Sequence, residues 1–430
     1  MPSTLATPFA PDEPMTLPAH VMACPQCGLH VTLPALRVGE EAFCPRCDEH
    51  LVSIPRSPVD APLAFAWTSL ILLLLACSFP LLAIDVQGNQ TQISLLQNAE
   101  AIYRRDFALL ANVLLLCVLL LPGLFLLTVI YLFSGIKTGR RLPGLRPLAT
   151  LVGRIQPWMM VDVFLLGAIV SMIKMASLAQ VGFGLSFWAL LGFSLALTRT
   201  GCLIEPHWLH YRINLLHGTD PTQGQAEPSH GCHSCGFLSP ASEDCCRFCH
   251  SSLHVRHPRS LQKTAALLLA AVVLYVPANL YPIMLTESLG RITPSTIVQG
   301  IFVMWQNHSY PIAMIIFVAS VFIPIAKMIA LALLCLAAAI PHQVHPLHLT
   351  RLYRVIDFIG RWSMVDVFVV IILVTLVHMG SLMSVHPGVA ALSFCGMVLA
   401  TMLSAMNFDV RLLWDIKQPG STGQEHDEFH

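Results

Sequence analysis

The sequence predicts an all-α polytopic membrane protein made of two parallel repeats of four transmembrane helices, each repeat preceded by a small zinc ribbon. Three observations support this fold class. The 430 residues are 55% hydrophobic and only 11% charged, whereas soluble domains carry about 25% charged residues. Eight apolar runs are long enough to approach the roughly 20 residues that cross a bilayer. The second half of the chain also repeats the first.

The apolar runs fall into two groups of four. They cover residues 61–84, 107–136, 155–173 and 175–198, and then 264–286, 309–340, 363–377 and 387–408. The predicted domains are a flexible lead (1–23), a first zinc ribbon (24–56), a first transmembrane domain (61–198), a linker (199–231), a second zinc ribbon (232–256), a second transmembrane domain (261–408) and a tail (409–430).

The repeat is clearest around two acidic residues. The first copy reads WMMVDVFLL at residues 158–166 and the second reads WSMVDVFVV at 362–370, with Asp162 and Asp366 in matching places. Pro122 likewise matches Pro324, at a nearly constant offset of about 200 residues. Because each half has an even number of helices, both halves insert with the same orientation and form a parallel repeat.

The basic residues predict the orientation. Most of the 24 lysines and arginines lie around the ribbons, in the loops 134–157 and 341–361, and in the tail. Because basic loops stay in the cytoplasm, both termini and both ribbons are expected there. The lead has no basic region followed by an apolar core, so no signal peptide is expected. The formal net charge of zero does not favour nucleic acid.

Fourteen cysteines are present, and eight of them form CxxC pairs outside the apolar runs. The eight are Cys24, Cys27, Cys44 and Cys47 in the first module, and Cys232, Cys235, Cys246 and Cys249 in the second. Two CxxC knuckles joined by a short spacer place four thiolates at tetrahedral corners, which is the geometry of a structural Zn²⁺ site.

Two alternatives to zinc stay open. Knuckles of this type also hold iron, and cysteine pairs also form redox couples or disulfides, although a cytoplasmic position disfavours stable disulfides. Cys245 adjoins the last pair and is a possible ligand in place of Cys246. The CxxC spacing and the repeat favour Cys246.

Charged residues interrupt the apolar runs at a few positions. Asp162 and Asp366 lie near the start of their helices, where an acid interacts favourably with the helix dipole. Only the second half adds a lysine, Lys327, where the first has Phe125. Because ionisable groups within a membrane usually mark function, we predict a functional polar network there, and a purely structural cluster is the alternative. Its members are Ser320, Lys327, Ser363, Asp366 and Thr401.

Asp162, Lys174 and His378 are secondary candidates. Lys174 and His378 match each other in the repeat, near the far end of the third helix of each half. A histidine at that depth is either an interfacial residue or a proton relay. Pro122 and Pro324 are each expected to kink a helix, because proline removes a backbone donor.

Enzyme motifs are absent from the sequence. It contains no GxxxxGK[ST], no HExxH and no nucleophile elbow. We therefore do not expect an enzyme or an ATP site of the P-loop type.

Several stretches resemble a known family. These are PANLYPI at 277–283, PSTI at 294–297, SYPIAMIIFVASVFIPIAKM at 309–328, GRWSMVDVF at 360–368 and FDVRLLWD at 408–415. With the paired CxxC modules they are similar to the paraquat-inducible protein A family, over essentially residues 20–416. The match is closer to that branch than to the lipophilic-envelope-spanning protein A branch. The second knuckle reads CRFC where CPRC is usual in the family.

The resemblance implies a bacterial inner-membrane protein that works with a periplasmic MCE-domain protein of the paraquat-inducible protein B type. It also implies tetraspanin-like halves, two cytoplasmic zinc ribbons, and passage of phospholipid between the inner membrane and the partner's tunnel. The family's polar network maps to Ser320, Lys327, Ser363, Asp366 and Thr401, as a transport switch. The alternatives are a membrane scaffold that anchors the partner and moves nothing, and a redox or envelope-stress protein that uses its CxxC sites.

Overall fold

We describe the protein from a computed structural model that carries side chains. It describes residues 16–86, 89–94, 103, 108–175, 180–222, 229–240, 242–288, 291–306, 308, 310–340, 344–376, 378–379 and 383–415. Most of the predicted lead and tail, and part of the linker, lie outside these ranges. The chain forms two compact units. One comprises Met1–Leu73, Leu120–Met159 and Gly192–Val255, and the other comprises Leu74–Leu119, Met160–Leu191 and Arg256–His430.

Helices dominate both copies of the repeat. In the first copy they are α1 (Asp60–Ser78), α2 (Ala108–Leu114), α3 (Leu121–Thr138), α4 (Leu145–Ile155), α5 (Val161–Met175), α6 (Leu185–Leu203) and α7 (Pro206–Leu216). In the second copy they are α8 (Ser260–Leu280), α9 (Ile297–Gln306), α10 (Tyr310–Phe317), α11 (Ile323–Ala339), α12 (Pro346–Trp362), α13 (Val365–Leu376), α14 (Val389–Asn407) and α15 (Leu412–Asp415).

Six helical segments in the described part of the chain are long and apolar enough to cross a membrane. They are Asp60–Ser78, Leu109–Thr138, Leu145–Ile173, Ser260–Leu280, Val318–Ala339 and Val389–Asn407. The bent pair α6 and α7, with a 64° break, makes a seventh if it counts as one span. The chain is thus a multi-pass helical membrane protein with a repeated architecture, as predicted.

The expected eighth span is shorter than its apolar run. Helix α13 has 12 residues, which is about 18 Å at 1.5 Å per residue, against a hydrocarbon thickness of about 30 Å. The run from 363 to 377 begins in the break after α12, at Ser363 and Met364, so the backbone of its first residues does not contribute to α13.

Two long helices contain a π-helical segment just before a proline. Leu115–Leu120 precedes Pro122, and Val318–Phe322 precedes Pro324. Since proline has no N–H, the carbonyl one turn earlier loses its α-helical donor, and the wider π turn accommodates this. The two prolines predicted from the repeat therefore mark matching irregularities.

Strands occur outside the long helices, where the all-α prediction expected none beyond the ribbons. One sheet has the order β6-β5-β7, formed by Pro80–Val86, Asn89–Ser94 and Gln180–Phe183 as β5, β6 and β7. The other has the order β11-β10-β13-β12, formed by Met284–Ser288, Arg291–Ser295, His378–Met379 and Met383–Pro387 as β10 to β13. The apolar runs that end at residues 84 and 286 stop being helical before Pro80 and Pro282. The reason is that the α conformation is unfavourable for a residue that precedes proline.

Helices α8 and α14 are joined by hydroxyl groups. Ser404 Oγ donates to the Thr264 carbonyl at 3.0 Å, and Thr264 Oγ1 donates to the Ser404 carbonyl at 3.4 Å. Ser260 Oγ donates to the Asn407 carbonyl at 2.6 Å. Such bonds are common between membrane helices, where small polar residues allow close packing.

Candidate functional site

Six of the eight CxxC cysteines lie at the tips of short hairpins, and Cys246 and Cys249 lie between the bridge partners Cys245 and Ser252. In the first ribbon, His20–Ala23 pairs with His30–Leu33 and Glu41–Phe43 pairs with His50–Ser53, as β1 to β4. In the second, Ser229–Gly231 pairs with Leu238–Pro240, as β8 and β9. Strands β1 and β8 begin before residues 24 and 232, so each ribbon starts earlier than its predicted boundary.

All four knuckles share one turn geometry. The residue after the second cysteine donates its N–H to the carbonyl of the first cysteine at 2.9–3.0 Å and has a left-handed φ. These residues are Gly28 (φ 74°), Asp48 (57°), Gly236 (77°) and His250 (59°). Glycine and aspartate tolerate this conformation. The turn directs both sulfurs of each pair toward one point.

The eight sulfurs form two groups of four. In the first, Cys24 and Cys47 are 3.6 Å apart, as are Cys27 and Cys44. In the second, the distances are 3.5 Å for Cys232 to Cys249 and 3.6 Å for Cys235 to Cys246. With Zn–S bonds of about 2.3 Å, the edge of a ZnS₄ tetrahedron is about 3.8 Å. Each buried group could therefore hold a metal ion.

The second group differs in its surroundings. Ser251 Oγ lies 2.9 Å from the Cys249 sulfur and 3.2 Å from the Cys232 sulfur, and Ser239 Oγ donates to the Cys246 sulfur at 3.5 Å. Hydroxyl donors stabilise thiolates. Cys245 is exposed and lies outside this group, and Cys246 is within it.

A histidine pair connects the two ribbons within one unit. His20 Nε2 lies 2.8 Å from His207 Nε2, and the rings stack with centroids 5.0 Å apart. His207 Nδ1 donates to the carbonyl of the ligand candidate Cys235 at 2.7 Å. Burial lowers the pKa of His20. The sequence reasoning missed this pair, since two histidines far apart in the chain carry no spacing signal.

The predicted acids begin the two matching helices. Asp162 lies in the first turn of α5 and Asp366 in the first turn of α13, and both are half-buried. A carboxylate there is stabilised by the positive end of the helix dipole. Lys174 lies near the end of α5 and His378 in β12, but their side chains lie outside the described part of the structure.

The predicted network residues separate into two places. Lys327, only 3% exposed, donates from Nζ to Thr401 Oγ1 at 3.2 Å, whereas Ser320 and Asp366 line a cavity. Ser363 is buried, and its Oγ has no hydrogen-bond partner among the described residues. Ser320 lies in the π-helical segment about two turns before Lys327.

The cavity has a volume of about 390 Å³. Most of its lining comes from β10, β11, α9, α13 and α14, and it is mainly apolar, as at Val369, Val370 and Phe394. A few polar groups face it: Thr293, Ser295, Thr296, Gln299, Ser320 and Asp366. An apolar cavity of this size with a few converging polar groups is typical of a ligand site. Sequence reasoning named Ser320 and Asp366 as network residues but did not predict that residues of α9 supply much of the cavity wall.

The sequence model of the family described as paraquat-inducible protein A matches residues 59–214 and 261–418. The chain belongs to this family. Within it, the chain is 38% identical over 416 residues to the intermembrane transport protein PqiA of Escherichia coli K12, covering 95% of this chain and 98% of the relative.

Two further relatives are more distant. The lipophilic envelope-spanning tunnel protein A of Escherichia coli K12 is 30% identical over 398 residues, which are 93% of this chain and 92% of that protein. A probable intermembrane transport protein of Haemophilus influenzae is 27% identical over 407 residues, which are 93% of this chain and 97% of that protein. The prediction that the chain is closer to the paraquat-inducible protein A branch than to the lipophilic-envelope-spanning protein A branch is therefore confirmed. No solved structure matches the chain.

Proposed function

We propose that this chain is the inner-membrane subunit of an intermembrane phospholipid transport system, and that the cavity beside Asp366 and Ser320 receives the lipid. The main support for the proposal is the cavity, because it combines an apolar wall with the carboxylate of Asp366 and the hydroxyl of Ser320. About 390 Å³ accommodates part of a phospholipid. The relatives are named as transport proteins, which supports transport and not enzymatic catalysis.

The partner in this proposal is a periplasmic MCE-domain protein, which the family resemblance implies. The distribution of basic residues supports a cytoplasmic position of both ribbons and both termini. In that orientation lipid would pass from the bilayer into the cavity and on to the partner, or in reverse. Rearrangement of Asp366, Ser320, Ser363, Lys327 and Thr401 would switch access between the two sides.

The two tetracysteine groups are proposed to hold structural Zn²⁺. Small hairpin modules of this size gain most of their stability from a bound metal. Four thiolates suit zinc and, less commonly in such ribbons, iron. The metal would keep the hairpins folded and take no part in lipid chemistry.

The experiment is lipid analysis of the chain purified with its MCE partner. Gly300 lines the cavity and has open space around it, so Gly300→Leu fills the cavity without a backbone clash. Gly153 also has open space but lies outside the cavity, so Gly153→Leu is the matched control. Mass spectrometry should show loss of co-purifying phospholipid in G300L only. Equal lipid in both variants would contradict the proposal.

A growth assay tests the switch. Asp366→Ala should fail to complement a deletion strain, although the protein remains in the membrane. Asp162→Ala, at the matching position of the first copy, is the comparison. If D366A complements as well as D162A, the chain acts as a scaffold for its partner and not as the transporter.

A further inference from the structure

The ammonium group of Lys327 lies against helix α12. Its Nζ donates to Thr401 Oγ1 of α14 on one side. On the other side, a Cβ built on Gly360 would lie 3.3 Å from Nζ and 3.7 Å from Cε. The separation from Nζ is tighter than an ordinary contact and that from Cε is ordinary, so the missing side chain of Gly360 leaves space for the end of the lysine.

Asp357 lies one helical turn before Gly360. Residues three apart on a helix are neighbours on its surface, so the carboxylate flanks the opening at Gly360. An exposed negative charge thus lies one turn from the buried contact of Gly360 with Lys327. A buried ammonium needs such compensation, because transfer of a charge out of water carries a large penalty.

Helix α12 is anchored about two to three turns before Gly360. Trp414 Nε1 donates to Thr350 Oγ1 at 3.1 Å, and the Tyr353 hydroxyl donates to the Ala405 carbonyl at 3.2 Å. Leu349, Thr350, Ile356 and Gly360 form its buried face. The position of α12 therefore sets the position of both Asp357 and Gly360 relative to Lys327.

The first copy of the repeat provides an internal comparison. There TLVGR at 150–154 matches DFIGR at 357–361, so Thr150 stands where Asp357 does and Gly153 stands where Gly360 does. Phe125 replaces Lys327. A Cβ on Gly153 would meet no atom within 4 Å. The lysine, the acid and the tight glycine contact thus occur together in the second copy and are together absent from the described first copy.

We propose that Asp357 and Gly360 are positioning residues for Lys327. Asp357 supplies the counter-charge, and Gly360 supplies the room for the ammonium to reach Thr401. Helix α12, which joins two membrane helices, thereby becomes part of the polar network, and a shift of α12 changes the Lys327–Thr401 contact. The positioning stands on the geometry, and its use in transport rests on the proposed function.

The test is a set of double-mutant cycles on the purified full chain, read as the apparent Tm. Asp357→Asn and Gly360→Ala should each lower Tm by about 2–4 °C. Both effects should vanish in a Lys327→Met background, because the group that they position is gone. Gly153→Ala is the control for G360A and should leave Tm unchanged or raise it slightly, because alanine favours a helix more than glycine does. If K327M does not yield folded protein, Lys327→Gln serves as the background.

The proposal is overturned if D357N and G360A shift Tm equally with and without Lys327, since both residues would then act only within α12. Complementation is measured separately on the same variants. Coupled Tm shifts with full complementation by every variant would leave the positioning intact and remove Lys327 from the transport mechanism. The failure of the transport proposal is thus distinguishable from the failure of this one.

Discussion

Phe164 and Phe368 occupy matching positions in the two copies of the repeat, and their rings meet edge to face with centroids 5.5 Å apart. Beside them, Ser171 Oγ donates to the Val369 carbonyl at 3.4 Å. The helices α5 and α13, which begin with the two predicted acids, therefore pack directly on each other. A rearrangement at Asp366 would shift this contact, because tightly packed helices transmit small displacements.

Gly167 allows α5 and α13 to approach each other closely at that contact. A Cβ there would lie 3.0 Å from Phe368 Cβ and 3.4 Å from the Val365 carbonyl oxygen. Gly167→Ala should therefore destabilise the protein by about 1–3 kcal/mol through overpacking, measured by thermal unfolding in detergent. Gly192→Ala is the control, because its Cβ would meet only Leu72 methyl groups at 3.5 and 3.7 Å. Equal stability of the two variants would show that α5 and α13 separate easily.

The number of metal ions bound per chain should depend on which cysteines of the second group are intact. We expect two zinc ions per chain by elemental mass spectrometry, since each group offers four sulfurs. Cys246→Ser should retain one, and its neighbour variant Cys245→Ser should retain two, because Cys245 is exposed and outside the group. Loss of metal in C245S instead would reassign the ligand. A visible absorbance of the purified protein would indicate iron.

Two matching glycines allow a close backbone approach. The N–H of Gly184 donates to the Leu81 carbonyl at 3.1 Å, and that of Gly388 donates to the Ile283 carbonyl at 2.8 Å. A Cβ at either position would overlap a backbone carbonyl oxygen, that of Pro80 or Pro282. Gly184→Ala and Gly388→Ala should each greatly reduce the yield of folded protein, because backbone must move. Gly300→Ala, with open space, should express normally.

The hydroxyl of Thr401 should contribute more to the stability of the protein than the hydroxyl of another buried threonine. Thr401→Ala removes the hydrogen-bond partner of the buried Lys327 ammonium, and an unsatisfied buried group costs about 1–3 kcal/mol. Thr128→Ala is the matched control, since its hydroxyl donates only to the Leu124 carbonyl of its own helix, at 2.8 Å. Chemical denaturation of both variants measures the difference. Similar stabilities would mean that Lys327 finds another partner.

Short-range patterns predicted much of this protein correctly. CxxC spacing is local, so the chain brings the cysteines together in two groups of four as expected, and Cys246 belongs to the second group. Apolar length and the repeat predicted the membrane helices, and Pro122 and Pro324 each follow a π-helical segment. The sheets were missed, because apolar residues after Pro80 and Pro282 suit a strand as well as a helix. The role of the five network residues stays a prediction.

The order of the residues alone established membrane insertion, duplication and the paired cysteine modules, because each depends on composition or on spacing along the chain. Which groups surround Lys327 was settled only when α11, α12 and α14 packed together. Gly360 and Thr401 come from different helices. No linear pattern connects such residues, since the distance between side chains on separate helices depends on how closely those helices approach.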